Sequence, residues 1–547
     1  MITSELSGAS ADTGATAPEL IFAMTRAIGT DSAPLLSQDF RHIEFLASTL
    51  KDTPEHERYR TYMNAGDLLR SVTQRADAAG VLGIRRIREA RKQLAASASG
   101  KERGRAYILK SLMHPGELDT LRRVYGPQLF VVSVFAPRDV RVKRLAAKIG
   151  DSCGDLAARR IPEAEELVNR DFGISPRKDD PVAQTVPRQF VIDVQRTFQK
   201  ADLFISATAP GESREAVTRF MELIFGHPFH TPTREEFGMC MAHCAAARSA
   251  ALGRGVGAAI LTPEGDLVSV GTNEVPCFGG GQYWEADKPD GRTFVCGHDS
   301  SDRIRKHMFA DLLRRLHQDR VWAEGHGTEE EISALHRVLD NLDLDSTVER
   351  ILTSDVINKA SVLDVIEYGR EVHAEMAALT DAAKRGVPVR GCVLYCTTFP
   401  CHECARLIVS SGITRVVYIE PYPKSRVAEL YEDSIGLADR STDLGHRVRF
   451  EPFVGIAPRR YFDLFSWVPR KAADVRGGVQ NYSGDVAGWS ITSAALRDTV
   501  ADGESLKSGA RAKAIECGEI GNVTAFQSRL AEAEERGRQL ESSSETP

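Results

Sequence analysis

The first 230 residues alternate short apolar runs with longer segments whose apolar residues recur at helical spacing. Short runs of this kind predict buried strands, and the 3.6-residue spacing predicts helices. The predicted strands cover residues 20–24, 106–109, 129–135 and 203–205. The predicted helices cover residues 59–92, with a break at 80–83, and residues 115–125, 139–149, 163–171 and 214–225. This alternation predicts an α/β domain with a mostly parallel sheet covered on both faces.

The second half of the chain also alternates strand-like and helix-like patterns. A helix is predicted over residues 233–250, and strands at 257–261 and 267–270 flank the turn sequence PEGD, which indicates a hairpin. Residues 277–371 form a long insertion after this hairpin. The remaining predicted strands are 392–398, 416–419 and 449–454, and the remaining helices are 302–317, 329–340, 373–386, 405–411, 426–434 and 526–541.

The composition predicts a globular protein of several domains. The chain has 547 residues, of which 42% are hydrophobic and 27% charged, and one domain commonly takes ~100–200 residues. We expect a disordered arm at 1–18, one domain at 19–229, a second at 230–470 and a C-terminal extension at 471–547.

The net charge and the cysteine content argue against two classes, proteins with a globally basic surface for nucleic acid and disulfide-stabilised scaffolds. The net charge of -6 gives no global basic bias towards nucleic acid, and ten cysteines in this length do not suggest a disulfide scaffold. The first residues are polar, and no apolar run is long enough to span a bilayer. We therefore expect a cytoplasmic protein without a membrane partner.

The segment after the first predicted strand resembles a degenerate P-loop. The phosphate-binding pattern is G-x-x-x-x-G-K-[ST]. Only Gly29 fits it, because Thr30 stands at the lysine position and Asp31 at the hydroxyl position, where its charge would repel phosphate. We expect no ATP chemistry here, but either a structural remnant or a regulatory nucleotide site. The basic run at 85–105 is interpreted as a solvated helix face, with phosphate or RNA contact as the alternative.

Residues 373–404 contain the motif with the clearest chemistry, H-A-E followed by P-C-x-x-C. His373, Cys401 and Cys404 offer one imidazole and two thiolates, which leaves a fourth zinc position for water, as in catalytic sites. Residues i and i+3 share a helix face, so both cysteines can reach one metal if a helix begins near Pro400. The pattern H-x-E…P-C-x-x-C is the signature of zinc nucleobase deaminases.

Glu375 is the predicted catalytic acid and base. It stands two residues after His373, where it can reach a zinc-bound water whose pKa falls towards ~7. It can carry protons from that water to the ring nitrogen and to the leaving ammonia. A lone H-x-E is weak evidence, and a lone C-x-x-C also fits a redox pair or half of a structural zinc site. The strand-like run at 392–398 between the two halves favours the catalytic interpretation.

The sequence GCVLYCTTFPCHECARLIVSSGITRVVYIEPYPKS resembles deoxycytidylate deaminases of the cytidine deaminase superfamily. The whole chain resembles bacterial anti-phage deoxycytidine-nucleotide deaminases, which join an N-terminal P-loop kinase-like domain to a C-terminal deaminase. The resemblance implies a cytidine-deaminase-like α/β/α fold and the conversion of dCTP or dCMP to the deoxyuridine nucleotide and ammonia. It also implies a role in antiviral defence by emptying the nucleotide pool.

The resemblance suggests substrate contacts as well. Asn273 stands where an asparagine meets the sugar, with a turn asparagine that binds its own backbone as the alternative. Residues 397–399, including Thr398, would line the pocket, Tyr422 could close over the nucleotide, and Lys424 at a helix start could bind phosphate. Ala377 departs from the HAE-x-N-A pattern of many relatives, so dCMP and dCTP both remain open as substrates.

Several alternatives remain open at this stage. Cys296, His298 and His307 suggest a second, structural zinc, although no second C-x-x-C supports it. A deaminase acting on RNA or single-stranded DNA would need a basic groove with stacking aromatics. The N-terminal half could instead be a module that senses a nucleotide or RNA and restrains the deaminase. We also expect a homo-oligomer.

Overall fold

The computed structural model describes residues 50–97, 106–171, 186–208, 210–318, 346, 368–422, 425–438, 446–465 and 522. These residues fall into two compact units. The first unit takes the residues up to Pro232 and those from Val454 onward, and the second is Thr233–Phe453. Among the residues described, no helix combines the length and apolar character needed to cross a membrane. The mixed α/β class predicted from the sequence is confirmed.

The first unit is built from helices around a small sheet. Its helices are α1 Glu55–Val72, α2 Ala78–Ser97, α3 Pro115–Tyr125, α4 Arg138–Cys153, α5 Ile161–Asp171, α6 Val194–Gln199, α7 Pro210–Ile224 and, after the second unit, α14 Pro458–Leu464. Its strands are β1 Val132–Phe135, β2 Leu203–Ser206 and β9 Gly455–Ile456. Strand β1 pairs parallel with β2, and β9 pairs antiparallel with the other edge of β2.

Asp202 attaches the segment after Val454 to the first unit. Its carboxylate is fully buried, accepts a hydrogen bond from the Val131 amide at 2.8 Å and contacts the guanidinium groups of Arg459 and Arg460. Residues 454–465 therefore pack with β2, whereas the sequence predicted that they belong with the domain at 230–470. A two-residue strand such as β9 carries too weak a pattern to identify its partner sheet.

Two further differences from the prediction have packing reasons. The helix predicted over 59–92 breaks at Thr73–Asp77 and not at 80–83. Gly80 lies inside α2, where the lack of a side chain lets α3 approach closely, since a Cβ there would stand 3.1 Å from the Glu117 backbone. Residues 106–109 do not form a strand, although Tyr107 and Leu109 pack against the α2–α3 core. The predicted P-loop residues Gly29, Thr30 and Asp31 lie outside the residues described.

The second unit has a six-stranded sheet in the order β4-β3-β5-β6-β8-β7. The strands are β3 Gly257–Leu261, β4 Leu267–Thr272, β5 Val393–Thr398, β6 Arg415–Glu420, β7 Ile435–Leu437 and β8 Val448–Pro452. The helices are α8 Arg234–Ala246, α9 Thr293–Cys296, α10 Ser300–Gln318, α11 Ala374–Lys384, α12 His402–Ser410 and α13 Val427–Leu430. Strands β4, β3 and β5 pair antiparallel, and β5, β6, β8 and β7 pair parallel.

Helices cover both faces of this sheet. Successive strand residues point to opposite faces, and Gly257 of β3 faces α8 whereas Ala258 packs in the same core as α11 and α12. The helix predicted at 426–434 is shorter, and β7, which follows it, is a strand that the sequence did not reveal. The predicted helix at 329–340 lies outside the residues described. The layers place α11 and α12 on one face of β5.

Glycine in β4 permits a close contact between the sheet and α11. A Cβ at Gly271 would stand 2.1 Å from the Ala374 carbonyl oxygen and 2.4 Å from the Ala378 amide nitrogen. Backbone cannot yield to such a clash as a flexible side chain can. Strand β4 therefore needs glycine here to hold the first turns of α11.

We expect Gly271→Ala to lower the free energy of unfolding by about 3 kcal/mol or more, since overpacking against backbone is costly. Denaturant titration followed by circular dichroism measures this change. Gly253→Ala is the matched control, because a Cβ at Gly253 meets no atom within 4 Å. It should stay within ~0.5 kcal/mol of the wild type. Equal stability of both variants would show that α11 does not depend on this contact.

Candidate metal centre and active site

His373 and Glu375 stand at the start of α11. His373 is the N-cap residue with extended backbone angles, φ -65° and ψ 154°, and the helix begins at Ala374. Glu375 lies in the first helical turn and its residue is only 4% exposed. A ligand at the cap and an acid in the first turn project from one helix end. The sequence prediction of a helix starting at this motif is confirmed.

Cys401 and Cys404 stand at the start of α12. Strand β5 ends at Thr398, and after Pro400 the chain enters the helix with Cys401 as the N-cap residue. The Cys404 amide donates a hydrogen bond to the Cys401 sulfur at 3.5 Å. Both cysteines are buried. The helix predicted from residue 405 begins three residues earlier, at His402, and this places both sulfurs at its first turn.

The three predicted ligands converge on one point. Nδ1 of His373 lies 3.2 Å from the Cys401 sulfur and 3.4 Å from the Cys404 sulfur, and all three ligand atoms lie within 4.8 Å of one another. Ligands at tetrahedral angles and at ordinary zinc bond lengths would be about 3.5 Å apart for such a nitrogen and sulfur. The donor set and its spacing therefore fit a zinc ion with an open fourth position.

The electrostatics of the ligands also suit a cation. Hydrogen bonds from Cys404 and His373 lower the pKa of Cys401 to about 4, so its sulfur is a thiolate at neutral pH. The hydrogen bond to Cys401 raises the pKa of His373 to about 9. Burial raises the pKa of Cys404 well above its ordinary value. A divalent cation would replace protons at His373 and Cys404, as ligand binding of metals ordinarily requires.

Glu375 lies beside the ligands without being one of them. Burial raises the pKa of its carboxyl, and the nearby Cys401 thiolate adds to this effect. The carboxyl hydrogen-bonds the Cys404 thiol and the Cys396 thiol. A buried carboxyl with a raised pKa is suited to both accept and donate protons.

Cys396 is a residue of this site that the sequence analysis missed. It lies in the middle of β5, is fully buried, and contacts Glu375 from the side of the sheet. Because strand side chains alternate, Leu394, Cys396 and Thr398 share the face that carries α11 and α12. The alternation of side chains between the two faces of β5 is therefore the signal that could have identified Cys396.

Three of the predicted substrate residues, Asn273, Thr398 and Tyr422, contact other parts of the protein. The Asn273 side-chain amide donates to the Arg254 carbonyl at 2.9 Å and accepts from the Val256 amide at 2.7 Å, which is the structural role considered as the alternative. Thr398 is buried and donates to Glu420 at 3.4 Å. Tyr422 is half-buried against the core of the unit. Lys424 lies outside the residues described. Their contacts with substrate stay predictions.

The second zinc site suggested in the insertion does not assemble in the described part of the chain. His298 Nδ1 lies 2.9 Å from the Cys296 carbonyl oxygen, and the Cys296 sulfur contacts Arg370 at 3.0 Å. These two residues and His307 do not form a group of converging metal ligands there. A guanidinium beside the sulfur is an unfavourable neighbour for a bound cation.

Comparisons with known proteins agree on the region around these residues. Residues 232–420 match the family model of the cytidine and deoxycytidylate deaminase zinc-binding region. Deoxycytidylate deaminase of Enterobacteria phage T2 is 43% identical over 56 residues, which are 10% of this chain and 30% of that protein. ComE operon protein 2 of Bacillus subtilis (strain 168) is 34% identical over 94 residues, 16% of this chain and 50% of that protein. The chain thus spans half or less of the length of these curated relatives.

The dCMP deaminase of cyanophage S-TIM5 in its apo form aligns with 41% of this chain and 99% of that chain, at 16% identity and a TM-score of 0.20. The family match, together with the converging ligands, identifies the region that holds the metal centre. Residues 232–420 match the zinc-binding region of the cytidine and deoxycytidylate deaminase family model, and His373, Cys401 and Cys404 form a candidate zinc site within this region.

Proposed function

We propose that this protein is a zinc-dependent deaminase that hydrolyses the exocyclic amine of a deoxycytidine nucleotide, giving the deoxyuridine nucleotide and ammonia. The observation that carries the proposal is the position of the buried Glu375 carboxyl next to three converging ligands, His373, Cys401 and Cys404. A structural zinc site would need neither an open fourth position nor a buried acid beside it.

Zinc held by these ligands would lower the pKa of a coordinated water towards ~7 and supply hydroxide at neutral pH. Glu375 accepts the proton of the attacking water and delivers it to the ring nitrogen next to the reacting carbon. It then takes the proton of the hydroxyl group now bound to the reacting carbon and delivers it to the exocyclic amine, so that the C–N bond breaks, ammonia leaves and the carbonyl forms. Burial of Glu375 excludes bulk water, which would otherwise compete for these protons.

The relatives and the net charge of the chain support the proposed class of substrate. The named relatives include deoxycytidylate deaminases, and the net charge of -6 does not favour a polyanionic nucleic acid strand. We therefore propose free dCMP or dCTP as substrate. The resemblance to anti-phage deaminases supports depletion of the deoxycytidine nucleotide pool as the biological role.

The metal is tested by substituting its ligands. We expect Cys401→Ser and Cys404→Ser each to lose about one zinc per chain and all measurable deamination, because a serine hydroxyl replaces a thiolate ligand. Mass spectrometry of the purified metal content measures the loss. Cys392→Ser is the control, since Cys392 is also buried but is not a ligand. Full zinc content in both ligand variants would contradict the assignment.

The acid is tested with its isosteric amide. Glu375→Gln should keep zinc and fold but lose about 10²–10⁴-fold or more of kcat, because an amide cannot transfer the protons. Asp381→Asn removes a half-buried carboxylate from the same helix and should retain activity. Steady-state assays of the three proteins supply the comparison. Undiminished turnover by Glu375→Gln would remove Glu375 from the mechanism.

The substrate is tested by offering competitors to the purified enzyme. We expect conversion of dCMP or dCTP, slower conversion of CMP and CTP, and no conversion of cytosines in a single-stranded oligonucleotide. Chromatographic separation of the uracil products measures each rate, with Glu375→Gln as the blank. Conversion of the oligonucleotide alone would favour the polynucleotide deaminase considered above.

A further inference from the structure

A second group of metal-ligand side chains lies at the end of α7, in the first unit. Glu222, His227 and His230 each offer a ligand atom, and these atoms all lie within 4.8 Å of one another. All three residues are half-buried. The group lies in a different unit from the deaminase centre and shares no residue with it.

The local sequence explains why these residues meet. Helix α7 ends at Ile224, and Gly226 adopts φ 88°, a left-handed conformation that favours glycine. The Gly226 amide donates to the Leu223 carbonyl at 3.1 Å, and the His227 amide donates to the Glu222 carbonyl at 2.9 Å. This pair of bonds is a Schellman motif, which reverses the chain at a helix end. The reversal brings His227 back beside the last turn of α7.

The side chains of the group are close to one another. Nε2 of His230 lies 2.6 Å from a carboxylate oxygen of Glu222, and the rings of His227 and His230 are 4.2 Å apart between centroids. The Phe229 amide donates to Nδ1 of His227 at 3.2 Å, which is a long hydrogen bond that a cation at this nitrogen would replace. Burial, and after it the neighbouring His230, lower the pKa of His227. Neutral imidazole is the form that binds metals.

We propose that Glu222, His227 and His230 bind a divalent transition metal of the zinc class, with water at the remaining position. Two imidazoles and one carboxylate are a known zinc donor set. Ligand atoms on tetrahedral zinc would be about 3.3 Å apart for such a nitrogen and oxygen. The His230–Glu222 pair therefore needs to widen by less than ~1 Å from its 2.6 Å contact. The Glu222 carboxylate hydrogen-bonds the ring of His230, whereas a cation would engage both imidazole rings.

A metal here would tie the last turn of α7 to His230, eight residues further along the chain. The segment from Gly226 to His230 contains no regular element, so its position otherwise depends on turn hydrogen bonds. The expected role is therefore structural, in fixing the segment that precedes Thr233. The proposal does not depend on the deaminase reaction.

The test uses full-length protein that has been stripped with a chelator and reloaded with Zn²⁺. Wild type should retain about two zinc ions per chain after gel filtration, one in each donor set. His227→Ala with His230→Ala should retain about one and keep deaminase activity, and Cys404→Ser should also retain about one but lose activity. His298→Ala is the matched histidine control from the insertion and should retain both ions.

Cobalt distinguishes the two sites by their ligands. Reloaded with Co²⁺, the double histidine variant should keep the thiolate-to-cobalt charge-transfer band of the cysteine site. Cys404→Ser should weaken that band but keep visible absorption from the second site. Wild type that retains one zinc, or a double histidine variant that retains as much metal as wild type, would mean that the group is a histidine–glutamate ion pair only.

A single conservative substitution tests the site even if the double histidine variant does not fold. Glu222→Gln preserves a hydrogen-bonding partner for His230 but removes the carboxylate charge. We expect at least 10-fold weaker Zn²⁺ binding at this site, on the scale seen when a metal-site partner is removed, with an unchanged circular dichroism spectrum. Zn²⁺ affinity equal to that of wild type would overturn the assignment of Glu222 as a ligand.

Discussion

The backbone contact between β4 and α11 determines where the candidate zinc ligand His373 and the carboxyl of Glu375 stand. Gly271 admits the first turns of the helix to within a distance that any side chain would block. Ser269 of the same strand donates to the Ala378 carbonyl at 2.9 Å, and Arg385 at the far end of the helix reaches the Val268 carbonyl. Because His373 is the cap of this helix and Glu375 lies in its first turn, ligand and acid move together with it.

The site concentrates buried groups that repel one another when charged. Cys401, Cys404 and Glu375 would each be anionic if deprotonated, and the charge of Cys401 raises the cost of ionising Glu375 and Cys404. Taking an isolated ion out of water costs several kcal/mol in a protein interior. A bound dication would lower the cost of ionising these groups, because it would be the largest local charge and would stabilise the anions around it. The arrangement is therefore far better suited to a metal centre than to a packed core.

The sequence predicted those parts of the site that depend on residue type and spacing. The ligands His373, Cys401 and Cys404 and the acid Glu375 follow from one motif, and the helix starts follow from its proline and its cap positions. Cys396 was missed because its role depends on which face of β5 it occupies. Glu222, His227 and His230 were missed because only the left-handed turn at Gly226 brings them together. The strand β7 was missed because three residues carry too little pattern.

The side chain of Asn273 has a structural role and still has hydrogen-bonding capacity for a substrate. Asn273 uses one amide N–H and one oxygen lone pair on backbone partners, but a primary amide has two of each. It can therefore hold its loop and still offer one donor and one acceptor. The structural and the sugar-binding interpretations are compatible for this reason. Ala377, 8% exposed, offers no polar side-chain group, so under the proposed function discrimination between sugars would depend more on the remaining donor and acceptor of Asn273.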